Sequence, residues 1–209
     1  MDTLLIAGEW TEASDGRSFD KTDPYTGEPA GSAAAAGRED AKAAADAAAA
    51  AFPEWAATPP AGRRELLQKA AGLISERAQD IAAIVTEETG GTFGWGMFNC
   101  SLAAGMLGEA AAQTTSATGE IIPSNVPGLT AMGVRQPAGV VLGIAPWNAP
   151  VILGTRAIAS PLAFGNTVVL KASEVCPRTH AEIGRALNDA GLPPGVVNVV
   201  THQVGDAAQ

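Results

Sequence analysis

The sequence predicts an α/β protein whose C-terminal third builds an open parallel sheet. Three observations carry that prediction. Val140–Ile144 and Thr167–Leu170 are short apolar runs, the first ending in Pro146-Trp147-Asn148-Ala149-Pro150 and the second in Lys171-Ala172-Ser173-Glu174. A third apolar run, Val196–Val200, follows, and stretches with helical spacing separate the runs. Strands that alternate with helices are joined by right-handed crossovers and lie parallel, and such sheets bind ligands at the carboxyl ends of their strands.

The elements follow in chain order. Leu4–Trp10 and Arg17–Thr22 read as short strands around the turn Ala13-Ser14-Asp15-Gly16. A second turn, Asp23-Pro24-Tyr25-Thr26-Gly27, precedes a weak strand, Pro29–Ala36, and together these suggest a small β arm laid over the rest. Glu39–Phe52 is alanine-rich, has acids at its start, and spaces Lys42 and Asp46 one helical turn apart, so it reads as a helix anchored by Phe52 and Trp55. Thr58-Pro59-Pro60 opens the next helix, because proline is tolerated in a first turn. Leu66, Leu67, Ala70, Leu73, Ile74, Ile81, Ile84 and Val85 then recur at helical spacing, with Arg63, Arg64, Glu65, Glu76 and Arg77 outward. Thr89-Gly90-Gly91-Thr92 breaks the pattern. A helix from about Trp95 to Gln113 turns Met97, Phe98, Leu102, Met106 and Leu107 inward. Glu120–Pro123 and Thr130–Gln136 read as strands around Pro127-Gly128. Strand Gly139–Ile144, a helix from Pro150 to about Leu162, strand Thr167–Leu170, helix Arg178–Ala190 and strand Val196–Val200 complete the chain, with Gly191-Leu192-Pro193-Pro194-Gly195 as the last stop signal. The one internal boundary falls between residues 1–138 and 139–209. Three parallel strands by themselves would leave apolar faces and an edge uncovered.

Composition excludes several classes of function. Apolar residues at 46% and charged residues at 17% suffice for a core, and a net charge of −9 is wrong for a nucleic-acid surface or an anionic membrane. No apolar run spans a bilayer, and Met1–Trp10 carries acids where a secretory leader carries bases, so a soluble cytoplasmic protein is expected. Cys100 and Cys176 are too few for a disulfide framework and read as buried structural thiols. His180 and His202 show no ligand-like spacing, so no metal is expected.

Read alone, the polar residues have plain explanations. Asn148 suits an Asx-turn or a helix cap, Lys171 and Glu174 a surface ion pair, Trp95 and Trp147 a core, and Arg156 a helix surface. The surrounding motifs change that reading. Gln136–Val141 through Pro146-Trp147-Asn148, then Pro161-Leu162-Ala163-x-Gly165-Asn166-Thr167-Val168-Val169-Leu170-Lys171-Ala172-Ser173-Glu174, and Ala190–Val199, resemble the aldehyde dehydrogenase family nearly residue for residue. Pro-Trp-Asn-Ala-Pro-Val-Ile-Leu and Lys-Ala-Ser-Glu, with Thr179-His180 soon after, are most similar to the branch that oxidises salicylaldehyde and vanillin.

The resemblance implies the N-terminal part of that family's fold: a β arm, helices, and the first βαβαβ of an open parallel NAD-binding sheet. It implies oxidation of an aromatic aldehyde to its acid through a cysteine thiohemiacetal, with NAD, or else NADP, as acceptor. Asn148 becomes the oxyanion donor, since an amide donates without titrating. Ile144, Ala145, Pro146 and Trp147 line the cofactor cleft, and Lys171, Ser173 and Glu174 lie at the adenosine ribose. The Glu174 carboxylate would repel a 2′-phosphate and leans the expectation towards NAD. Trp95, Leu153 and Arg156 face the aldehyde, where Trp95 can stack on an aryl ring and Arg156 can attract a phenolate. The family's nucleophile, general base and Gly-Ser-Thr-x-x-Gly turn are expected beyond Gln209, leaving the catalytic domain outside these residues. Thr201-His202-Gln203-Val204 departs from the glycine-rich turn common in the family. The arm and Glu120–Gln136 resemble elements that build a homodimer or tetramer. The competing reading is a nucleotide-binding or assembly fragment without catalysis, and a semialdehyde is the rival substrate.

Overall fold

The computed structural model describes residues 4–203. Met1, at the start of the N-terminal segment, and Val204, at the end of the Thr201–Val204 turn, lie outside the described residues. A five-stranded sheet forms the centre. Its order is β2 (Glu9–Thr11), β1 (Leu4–Ile6), β9 (Val197–Val200), β8 (Thr167–Lys171), β7 (Val140–Ile144). β7, β8 and β9 run parallel as expected, pairing Val140 with Thr167, Ile144 with Lys171, and Lys171 with Val200.

The N-terminal strands differ from the sequence reading. Leu4–Trp10 is not one strand but the start of a hairpin, turned by Ala7 and Gly8 at φ 53° and 85°. Positive φ at both central residues suits a two-residue hairpin turn. β1 then pairs antiparallel with β9, so this part of the arm joins the sheet instead of lying over it. Asn198 is the clasp: its Oδ1 accepts from Ala7 N–H at 3.0 Å, and its Nδ2 donates to Gly195 O at 2.8 Å and Val168 O at 3.3 Å. Of the arm's strands, β3 (Ser18–Thr22) and β4 (Pro29–Ala34) form a hairpin separate from this sheet.

Alternation along the strands sorts the two faces of the sheet. Val168, Leu170, Val197 and Val199 join a core with Ile158 and Leu162 of α5 (Pro150–Ala163) and Ile183 and Leu187 of α6 (Pro177–Ala190). Val169, Val200 and Leu4 pack on Ala44 and Ala48 of α1 (Arg38–Ala57). The small alanine side chains let α1 lie close enough for Thr167 Oγ1 to donate to Ala48 O at 2.8 Å. On β7, Val140, Leu142 and Ile144 remain 42%, 62% and 67% exposed, so the edge strand has the uncovered face that three parallel strands were expected to leave.

A helical layer, α2 (Pro60–Glu76), α3 (Ala78–Thr89) and α4 (Phe93–Ala112), packs beside α5 and α6. Four expectations need correction here. α1 continues past Phe52 and through Pro53 to Ala57, because Trp55 is buried and anchors the last turn. The single helix read across Leu66–Val85 is two helices meeting at Arg77, whose guanidinium reaches Asp189 of α6 at 2.8 Å. Arg63 points inward, donating from Nε to Ala163 O at 3.0 Å and from Nη1 to Thr58 O, and so satisfies the C-terminal end of α5. On α4, Phe98 and Leu102 are 51% and 39% exposed, while Gly96, Asn99, Cys100, Ala103 and Leu107 face inward. Crowding by α2, α3 and α5 selects small residues: a Cβ on Gly96 would lie 2.7 Å from Ala82 Cα.

β5 (Glu120–Ile122) and β6 (Ala131–Gly133) form a two-stranded hairpin, shorter at β6 than Thr130–Gln136 and with Ile121 and Met132 largely exposed. Among the described residues no helix is long and apolar enough to cross a membrane.

Candidate functional site

The carboxyl ends of β7, β8 and β9 emerge together. Ala145 N–H donates to Lys171 O at 3.0 Å, and Ala172 N–H to Val200 O at 2.8 Å, so the turn after β7 and the loop after β8 are adjacent. The turn leads through Ala149, the N-cap of α5, to Pro150 in the helix's first turn, where a missing N–H costs nothing. Two groups hold it from beneath. Asn99 Oδ1 of α4 accepts from Ile152 N–H at 3.5 Å while its Nδ2 donates to Trp95 O at 2.9 Å. His180 of α6 donates from Nε2 to Pro150 O at 3.2 Å. Above these anchors, Pro146, Trp147 and Asn148 are exposed, and among the described residues no partner takes the Asn148 amide.

The loop after β8 is more tightly bonded. Ser173 N–H donates to His180 Nδ1 at 3.1 Å, and Ser173 Oγ accepts from Val175 N–H at 3.2 Å. Lys171 Nζ lies 3.4 Å from Glu174 Oε2. Glu174 is held below the ordinary carboxylate range first by its own backbone amide and then by the Lys171 cation, so it is an acceptor at neutral pH. Burial pushes His180 down to about 4, keeping its ring neutral. Below it, buried Glu88 of α3 caps α6, accepting from Arg178 N–H, Thr179 N–H and Thr179 Oγ1 at 2.9, 2.9 and 2.7 Å.

A cavity of about 640 Å³ opens at the same edge, between Lys171, Thr201 and His202 on the sheet and Asp15, Arg17, Gly37 and Arg38 beside the start of α1. Its size suits a small-molecule or nucleotide ligand. Lys171 lines it with Glu174 3.4 Å from its ammonium, and an ammonium and a carboxylate together match a ribose diol, so these residues fit a dinucleotide. The cavity's Asp15, Arg17 and Arg38 had no signal in the sequence, because the hairpin and α1 reach the sheet edge only through tertiary packing.

The sequence-read residues divide by placement. Ile144, Pro146, Trp147, Asn148, Lys171 and Glu174 gather at one edge. Ala145 and Ser173 are there too but buried at 3%, and the Ser173 hydroxyl already accepts from Val175 N–H. Trp95 is 40% exposed and stacked on Phe98 at 5.5 Å, and the Asn99 contacts put it at the Asn148 end of α5. Leu153 is half-buried in that same first stretch of α5. Arg156 lies further along the helix, beside a smaller cavity with Met106, Glu109 and Gln113. Asn99 and His180 were missed. Asn99 had a signal, a lone amide in phase with the buried stripe of α4.

Both cysteines are buried, unlike an accessible thiolate. Burial pushes the Cys100 thiol up to about 11, and burial followed by nearby Glu88 raises Cys176 as well. Among the described residues no three His, Cys, Asp or Glu side chains could hold a metal ion.

Residues 10–209 match the sequence profile of the Aldehyde dehydrogenase family. A vanillin dehydrogenase from Pseudomonas sp. (strain HR199 / DSM 7063) is 59% identical over 98% of this chain and 42% of its own length. A salicylaldehyde dehydrogenase from Pseudomonas sp. (strain C18) is 40% identical over 93% of this chain and 40% of its own length. The crystal structure of a salicylaldehyde dehydrogenase from Pseudomonas putida G7 complexed with salicylaldehyde superposes with a TM-score of 0.95 at 38% identity, over 98% of this chain and 42% of that one. The chain thus spans about two fifths of the length of these relatives. Motif, strand-end geometry and similarity agree, and the chain belongs to the aldehyde dehydrogenase family.

Proposed function

We propose that this chain supplies the oxyanion donor and the adenosine end of the cofactor site for an aromatic-aldehyde dehydrogenase. The observation that carries this is an exposed Asn148 amide, without a partner among the described residues, at the same sheet edge as the Lys171–Glu174 pair, in a chain 59% identical to a vanillin dehydrogenase. In the whole protein, a cysteine outside these residues adds to the aldehyde to give a thiohemiacetal. Asn148 donates to the oxygen as negative charge develops on it, and the fixed turn avoids reorganisation at that moment. Lys171 and Glu174 hold the ribose hydroxyls as donor and acceptor, and Trp147 and Pro146 shield the cleft from water. The chemistry that a bound nicotinamide dinucleotide supplies is acceptance of a hydride. Glu174 favours NAD over NADP. Trp95 lines the aryl side, with Leu153 and Arg156 along α5. The proposed division of roles puts the helical and oligomer-building parts in 1–138 and the cofactor strands in 139–209, with a homodimer or tetramer in the cytoplasm as the working form.

A second reading rests on the two cysteines. Both are buried and held as neutral thiols, which favours a nucleotide-binding unit without catalysis as the second reading. Calorimetric titration of the chain with NAD and NADP, beside an assay of the complete gene product on vanillin, salicylaldehyde and a semialdehyde, tests both. Binding of NAD together with preferential oxidation of the aromatic aldehydes supports the first. Binding with no oxidation by the complete product leaves the second, and no binding removes both.

A further inference from the structure

His180 lies outside the cleft, fully buried, yet it touches both halves of the site. Three groups meet the ring, Pro150 O at Nε2 and both Ser173 N–H and, at 3.9 Å, the Cys176 thiol at Nδ1, and they leave one assignment. Pro150 O can only accept, so Nε2 carries the proton, and Ser173 N–H can only donate, so Nδ1 bears the lone pair. The ring is therefore a neutral bridge of fixed tautomer between the first turn of α5 and the loop after β8. Gly154 makes room for it: a Cβ there would stand 2.9 Å from His180 Cδ2 and 2.6 Å from Ile183 Cδ1. Pro150 is two residues past Asn148, and Ser173 lies between Lys171 and Glu174.

We propose that His180 is a positioning residue that sets the spacing between the Asn148 turn and the Lys171–Glu174 loop through its paired bonds to Pro150 O and Ser173 N–H. This rests on the cofactor and oxyanion reading above for its functional consequence, but not for its structural content. A ring of opposite tautomer would lose both bonds. One buried side chain thus orients the donor to the developing oxyanion relative to the groups that hold the ribose.

The test uses two amides that imitate opposite halves of the ring. In His180→Asn, Oδ1 replaces Nδ1 and keeps the Ser173 bond while the reach to Pro150 is lost. In His180→Gln, Nε2 replaces the ring Nε2 and keeps the Pro150 bond while the acceptor for Ser173 is lost. The chain has only two histidines, so ¹⁵N spectra of the imidazoles assign the wild-type tautomer directly. The expected signature is a neutral Nε2–H ring, with the Ser173 amide exchanging about tenfold faster in His180→Gln but not in His180→Asn. In the complete gene product, His180→Gln should mainly raise KM for NAD and His180→Asn should mainly lower kcat. An Nδ1–H tautomer, or exchange that accelerates equally in both variants, overturns the bridge. A correct exchange pattern with unchanged KM and kcat overturns the positioning role. A wild-type chain that shows the tautomer and exchange pattern but binds no NAD overturns the cofactor reading and leaves the bridge intact. Should one variant fail to fold, the tautomer and the other variant still decide.

Discussion

At the end of β7 the Asn148 amide is exposed and has no partner among the described residues, whereas at the end of β8 Ser173 and Lys171–Glu174 are largely bonded already. The turn after β7 is rigid for reasons that do not involve its functional side chain: Pro146 and Pro150 restrict the backbone, and Asn99 and His180 fix the helix that follows. In the proposed role, its donor meets charge that appears only during reaction. The loop after β8 is shaped by bonds among its own polar groups, and a ligand there must exchange for part of the Lys171–Glu174 contact. On the proposed reading, the first arrangement suits stabilising a transition state and the second suits discriminating between ligands.

The largest expected effect tests the first half of that contrast. Asn148→Ala in the complete gene product should lower kcat on the order of a hundredfold or more, with little change in NAD affinity. Steady-state kinetics with vanillin decides, and full activity would remove the oxyanion assignment. The next effect concerns the shared anchor. His180 falls from 6.5 to about 4 on folding, so its neutral form favours the folded state. Its contribution is complete above pH 6.5 and is lost as pH falls towards 4, a change of about 3 kcal/mol. Burial raises Glu88, which has the opposite sign and gains stability on acidification. Urea melts of wild type and His180→Gln over this range separate the two, because the variant keeps Glu88 and loses only the histidine slope. Parallel stability curves would refute a buried neutral ring. Gly154→Ala drives a methyl into His180 and Ile183, and should cost about 2 kcal/mol in the same melts.

These residues show where the sequence was legible. β7, β8 and α6 were readable because apolar runs and helical spacing are local, and Gly191, at φ 97°, stops α6 as its composition says. The placement of Asn148, Lys171 and Glu174 at one sheet edge was readable because they closely follow the apolar runs of β7 and β8. β1 was legible as a strand but not as a partner of β9, a pairing across nearly the whole chain that Asn198 fixes with a buried amide. The inward face of α4 was misjudged for a physical reason. Close helix packing selects Gly96, Cys100 and Ala103, so the larger Phe98 and Leu102 fall outside. His180 was missed because its partners are backbone groups, which carry no residue identity.

The smallest effect probes the second half of the contrast. Glu174→Gln keeps an acceptor and a similar volume but removes the charge that Lys171 and the Glu174 amide hold in place. The variant should lose roughly fivefold in NAD affinity, because a neutral amide accepts more weakly from a ribose hydroxyl. NADP affinity should rise, since a 2′-phosphate no longer meets a carboxylate and Lys171 is released to face it. Calorimetric titration with both dinucleotides reads the ratio. Were both affinities to fall together, Glu174 would act through the shape of the loop. An inverted ratio with Ser173 exchange unchanged would instead make its charge the discriminating group, separable from the His180 bridge that holds the loop.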